Sequence, residues 1–177
     1  MHRNWSSTPL LQRLQELAAQ RSLDQLTIGP VLTHTTENIL SHTDKLLKIP
    51  GAKLLFGGKP LLGHNIPDIY GAVEPTAVFV PLDQMLNEQY FELCTTEIFG
   101  PFQVVTEYDD ASLPRVLEAF ERMPHHLTAA IVSNDIQFVQ HVLGNTVNGT
   151  IYSGRLARTT GKRTCSSATA THLSLLA

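Results

Sequence analysis

Apolar residues along this chain recur first at helical spacing and then in short unbroken runs, and the two patterns alternate. Leu10, Leu14, Leu17 and Ala18 share one face of a helix ending near Gln20, and Thr8-Pro9 ahead of them reads as an N-cap and a first-turn proline. A second helix is predicted from Thr35 or Thr36 to Lys48, with Ile39, Leu40, Leu46 and Leu47 apolar and Pro50-Gly51 as its stop. Lys53 to Phe56 reads as a short strand closed by Gly57-Gly58. Thr76 to Val80, held between two prolines, reads as a buried strand, and Phe102 to Tyr108 as another. A helix from about Leu113 to Arg122 capped by Asp110 or Ser112 follows, then a strand from Leu127 to Val132. A helix from Asp135 to Leu143, capped by Ser133 or Asn134 with Gly144 as its C′ residue, precedes a last strand from Gly149 to Tyr152. Strands alternating with helices predict a three-layer α/β fold, a mostly parallel sheet with helices on both faces.

Charge changes this picture near the end of the chain. Residues 1–152 carry nine basic and sixteen acidic side chains, while residues 153–177 carry four basic and none acidic, the last acid being Asp135. Ser and Thr crowd residues 163–171 without a helical or strand period. A boundary is therefore expected near Gly161, between a domain over residues 1–161 and a disordered tail over residues 162–177.

Composition then narrows the function classes. The 177 residues make one domain and a little over at about 150 residues per domain. A formal charge of −3 lacks the basic footprint of a nucleic-acid binder. No apolar run approaches the roughly 18 residues of a membrane span, so neither nucleic acid nor membrane is an expected partner. Cys94 and Cys165 are the only cysteines, with no CxxC or Cys/His spacing for zinc. Residues 1–23, amphipathic, with Arg3, Arg13 and Arg21 and the single acid Glu16, have the profile of a mitochondrial transit peptide.

Candidate chemistry is sparse. The adjacent His125 and His126 point in opposite directions on an extended chain, which argues for solvated turn residues and against a shared metal. Cys94 has no nearby cation to lower its pKa and reads as a packed small hydrophobe with an ordinary thiol. The informative segment is Thr95-Thr96-Glu97-Ile98-Phe99-Gly100-Pro101-Phe102. Taken alone, Glu97 would be a surface carboxylate and Phe99-Gly100-Pro101 a turn before a strand.

Glu97 to Pro101 does not stand alone, because it follows Pro75-Thr76 and an apolar strand, with Phe56-Gly57-Gly58 earlier still. In this order the segments resemble the aldehyde dehydrogenase superfamily. Asn4-Trp5-Ser6, Leu26 to Leu32, Leu54 to Gly58, Ile69 to Ala72, Glu97 to Tyr108, His126 to Ala130 and Val132 to Asp135 are similar to its plant-type pyrroline-carboxylate branch, over roughly residues 2–161. That resemblance implies an NAD-dependent, mitochondrial oxidation of glutamate semialdehyde to glutamate in proline breakdown, through a thiohemiacetal, hydride transfer to NAD and thioester hydrolysis. It also gives residues 1–23 an interior counterpart, so that a chain translated as given would be cytoplasmic.

By the same resemblance, Glu97 matches the carboxylate that holds the nicotinamide ribose, its two oxygens suiting a cis-diol. Phe99 matches the aromatic residue packed near the nicotinamide ring. Thr159, Thr160 and Gly161 match the entry to the substrate-anchoring loop. The family's nucleophilic cysteine, general-base glutamate and dinucleotide-binding domain match nothing in this sequence. The expectation is a partial catalytic domain that encodes only part of the NAD site, has no catalytic residue or metal, and does not turn over an aldehyde alone. The rival reading is a non-catalytic remnant that associates with full-length subunits through a sheet edge or exposed apolar faces.

Overall fold

In the computed structural model, which describes residues 1–154 and 174–176, α1 (Leu10–Ala19) carries the predicted apolar stripe but buries none of it fully. Pro9 precedes it without a side-chain cap. The Thr8 hydroxyl, expected to cap this helix, donates at 2.7 Å to the Trp5 carbonyl three residues back. It closes a 3-10 helix, Arg3–Ser7, that the apolar pattern does not reveal. By contrast α2 (Thr36–Leu47) starts as predicted at Thr35, whose side chain accepts from the Asn38 amide at 3.2 Å. Gly51 closes the following turn at a φ of +78°, a left-handed conformation that suits glycine.

β1 (Lys53–Phe56), β2 (Thr76–Phe79) and β3 (Phe102–Val105) form a sheet in that order, with β1 antiparallel and β3 parallel to β2. Side chains alternate between faces along a strand, so Val78 and Val80 share a face, where they pack with Leu46 and Ile49. Each such side chain, taken fully out of water, contributes about 1.5–3 kcal/mol. Between β2 and β3 lie α3 (Leu82–Met85) and α4 (Glu88–Thr95), neither anticipated from the pattern. α4 buries only Phe91 and Cys94, one turn apart and too few for a recognisable period. Its start is set by Asn87, which accepts from the Gln89 amide at 2.9 Å.

Residues 9–106 form one compact unit, and residues 1–8 with the described residues from 107 onward a second. In the second, Asp109 and Ser112 cap each other reciprocally ahead of α5 (Leu113–Arg122). Ser112, one of the two expected caps, is the N-cap residue of α5 but makes no side-chain cap bond to it. Its hydroxyl is engaged with Asp109, which accepts from the Ser112 amide across the preceding 3-10 turn, while Asp110 caps nothing. β4 (Thr128–Val132) is followed by α6 (Ile136–Leu143), whose cap is Asp135 itself, accepting from the Gln137 and Phe138 amides. Gly144 ends α6 at a φ of −73° and is not a left-handed C′ residue. β5 (Thr150–Ser153) is parallel to β4, and β6 (Ser174–Leu176) antiparallel to it, in the order β5-β4-β6. Residues 1–3 pair with this unit through a bridge from His2 to Tyr108, and Arg3 reaches Glu107 at 3.3 Å and Asp109 at 3.1 Å.

The α/β class thus holds, but the expected mostly parallel sheet is, among the described residues, two mixed three-stranded sheets. The reason lies partly in the connection from β1 to β2. It contains no crossover helix, the element that usually carries the chain back to start a parallel strand. In the tail from residue 162, where no strand period is visible, Ser174–Leu176 pairs with β4. The rest of that tail, and with it Thr159, Thr160 and Gly161, lies outside the described residues.

Candidate functional site

The Glu97 loop starts where α4 ends. Thr95 and Thr96 turn their hydroxyls back onto the carbonyls of Phe91 and Glu92, at 2.8 and 2.7 Å, the second satisfying an acceptor that the helix C-terminus leaves open. Thr96 then leaves the helix in an extended conformation, and side chains alternate. Ile98 is buried with Val31, Ile39 and Val73, while Glu97 and Phe99 on either side of it are exposed, Phe99 by 66%. An apolar ring left that exposed is held by its backbone, not by its own burial.

That backbone is tightly constrained. The Gly100 amide donates to the Ile98 carbonyl at 2.6 Å, the Phe102 amide to the Gly100 carbonyl at 2.8 Å, and the Thr76 amide to the Pro101 carbonyl at 2.8 Å. A Cβ on Gly100 would lie 2.4 Å from Val31 Cγ2, so only glycine allows the approach. Val31 is itself clamped by paired hydrogen bonds to Gly71, at 2.7 and 2.8 Å. Glu97 has no ion pair or hydrogen bond among the described residues.

Beside the loop, Gly57 and Gly58 cross over the start of β2. The Gly58 amide donates at 2.9 Å to the Thr76 hydroxyl, which in turn donates to the Glu74 carbonyl at 2.8 Å. Gly100, Pro101, Pro75 and Thr76 border a groove of about 670 Å³ between α1 and the sheet. Neither Glu97 nor Phe99 lines it; both face solvent from the loop. The clamp of Val31 on Gly71 and the hub at Thr76 escape sequence reading, because each joins segments far apart in the chain. The repeated Gly-Pro at residues 29–30 and 100–101, which meet along this groove, was the one signal available.

The remaining candidates are structural. Cys94 is buried among Leu46, Val78 and Val80, and burial pushes its thiol up to about 11, where sequence reading expected an ordinary value. A ring nitrogen of His126 lies 3.1 Å from the Phe120 carbonyl. No cluster of three or more metal-ligating side chains occurs among the described residues.

The fold recurs in solved structures. PnpE from Pseudomonas sp. WBC-3 superposes with a TM-score of 0.68 at 20% identity, over 90% of this chain and 31% of that one. An aldehyde dehydrogenase from Bacillus cereus, solved as its NAD+ complex, does so with a TM-score of 0.64 at 22% identity, over 86% and 29%. The fold is thus that of aldehyde dehydrogenases. The sequence profile of the aldehyde dehydrogenase family matches residues 7–163, and the chain belongs to that family. It is 67% identical over 161 residues to a probable aldehyde dehydrogenase of Linum usitatissimum. It is 62% identical over 162 residues to the mitochondrial delta-1-pyrroline-5-carboxylate dehydrogenase 12A1 of Arabidopsis thaliana. Each match takes in 91% of this chain, which spans 29% of the length of either relative.

Proposed function

We propose that this chain is the part of an NAD-dependent aldehyde dehydrogenase that presents Glu97 and Phe99 to the nicotinamide riboside. The whole enzyme would oxidise glutamate semialdehyde to glutamate, and its mitochondrial plant relative of that type, 62% identical, supports both the substrate and a mitochondrial location. The observation that carries the reading is the alternation at the loop: Ile98 is sunk in the core while an unpaired carboxylate and a bare ring flank it outward. NAD, when bound, accepts the hydride that leaves the aldehyde carbon. The residues of this chain bind and orient. Glu97 offers two acceptor oxygens to two ribose hydroxyls, and Phe99 offers a flat apolar face that fixes which side of the nicotinamide is presented.

The residues present fit this group, since among the described residues neither side chain has a hydrogen bond or ion pair that binding would have to break. Among the described residues the one cysteine, Cys94, is no activated nucleophile, because its thiol is buried and pushed up to about 11. The chain by itself should therefore form no NADH from glutamate semialdehyde and NAD above background. Turnover that survives purification and is abolished by Cys94→Ala overturns this. In an NMR titration of the chain with NAD, the backbone amides of Glu97 to Gly100 should shift, and Glu97→Gln should weaken the response. No shift at this loop at millimolar NAD overturns the assignment of Glu97 and Phe99.

A further inference from the structure

α1 leaves its apolar stripe half-covered. Leu14 and Leu17 remain 36% and 37% exposed, although the helix runs against β1. The space between is the groove of about 670 Å³, within the roughly 300–1,000 Å³ common for small-molecule sites. Its floor is one face of the sheet. Phe56 and Gln103 both pair with Ala77, from opposite sides, so all three point the same way.

The wall also has a sign. Among the described residues Arg21 is the one charged side chain lining the groove, whose lining includes no Asp or Glu, and its guanidinium makes no ion pair there. In a chain whose first 152 residues are net acidic, this is a local reversal. A cation has no partner here, whereas a carboxylate meets a planar fork able to donate two parallel hydrogen bonds. The apolar stretch formed by Leu14, Leu17 and Phe56 suits an unbranched hydrocarbon.

We infer that the groove between α1 and the sheet binds an aliphatic carboxylate of medium chain length. The tail lies along Leu14, Leu17 and Phe56, and the head group sits on Arg21. Neither Glu97 nor Phe99 contributes, so this site stands or falls separately from the nicotinamide reading.

The test titrates the isotopically labelled chain with decanoate, decanol and decyltrimethylammonium, each below its micelle concentration. Decanoate should shift the amides of residues 14–21, 27–30 and 101–103 and bind most tightly of the three. Arg21→Gln, an exposed substitution, should weaken decanoate about three- to tenfold, the scale of one charge-assisted contact near a surface, and leave decanol unchanged. Phe56→Leu should weaken decanoate and decanol together. Equal affinity for all three amphiphiles, shifts confined to other residues, or an Arg21→Gln variant that keeps the preference for decanoate overturns the proposal.

Discussion

At the scale of single residues, the most demanding position is Gly57. Its φ is +75°, and an alanine Cβ there would lie 2.2 Å from the Pro75 carbonyl oxygen and 2.6 Å from the Thr76 hydroxyl. The left-handed conformation alone costs an L-residue about 1–2 kcal/mol, and the nearest atom, the Pro75 carbonyl oxygen, is backbone that cannot swing aside. Gly57→Ala should therefore lower unfolding free energy in urea by at least about 2 kcal/mol. Gly29→Ala, where the added carbon meets nothing within 4 Å, should stay within about 0.5 kcal/mol of the parent. Equal losses at the two glycines would show that the tight turn over β2 does not matter.

Cys94 is the second case. Its thiol is pushed up to about 11 by burial, so in the folded chain it stays protonated where the unfolded thiol, near 9, has already ionised. The unfolded state then binds fewer protons, and stability falls as pH rises from about 9 to about 11. Iodoacetamide labelling at pH 8 with peptide mapping should find Cys94 unmodified in the native chain and modified in denaturant. Rapid native labelling would mean that the cluster around Leu46 and Val78 is open.

Among the elements, α2 does most to hold the Glu97 loop. Ile39 packs against Ile98, and His42 meets the ring of Phe102 edge-on at 5.5 Å between centroids. His42 Nε2 is buried without a hydrogen-bond partner among the described residues. Burial, with Lys45 and His34 adding positive charge nearby, lowers its pKa from the ordinary 6.5. The unfolded chain therefore takes up this proton at a higher pH than the folded one, and stability declines as pH falls below about 6.5. Thermal melts at pH 7 and pH 5 should show that decline, and His42→Leu should reduce it. An unchanged slope in the variant assigns the acid sensitivity elsewhere. At the start of the same helix, Thr35→Ala should cost about 1 kcal/mol by removing the cap.

For the molecule as a whole, the central place of β4 depends on a strand far along the chain. Ala130, Ile131 and Val132 stand opposite Leu176, Leu175 and Ser174, so ending the chain before Ser174 exposes one edge of β4. Amide exchange at Ala130 and Val132 should then accelerate, and unchanged rates would mean that β6 contributes nothing to the sheet.

What could be read from the sequence has a common physical origin. Helices α1, α2, α5 and α6 and strands β1 to β5 show themselves because a period of 3.6 or 2 and a capping side chain act within a few residues. The order of Phe56-Gly57-Gly58, Pro75-Thr76 and Glu97 to Pro101 was equally local, and it marked the family. α4 stayed hidden because two buried residues make no period, and β6 because its only support is a partner strand about forty residues away.

The sequence by itself determined the α/β class, the family and the identity of Glu97 and Phe99 as candidates. Only the tertiary structure decided that Ile98 turns inward while its neighbours turn out, that Gly100 must stay bare beneath Val31, and that Arg21 faces an apolar groove without an acid. Those outcomes depend on the Val31–Gly71 clamp and on the packing of α1 against β1, and close approach between distant segments leaves no periodic trace in the chain that folds to make it.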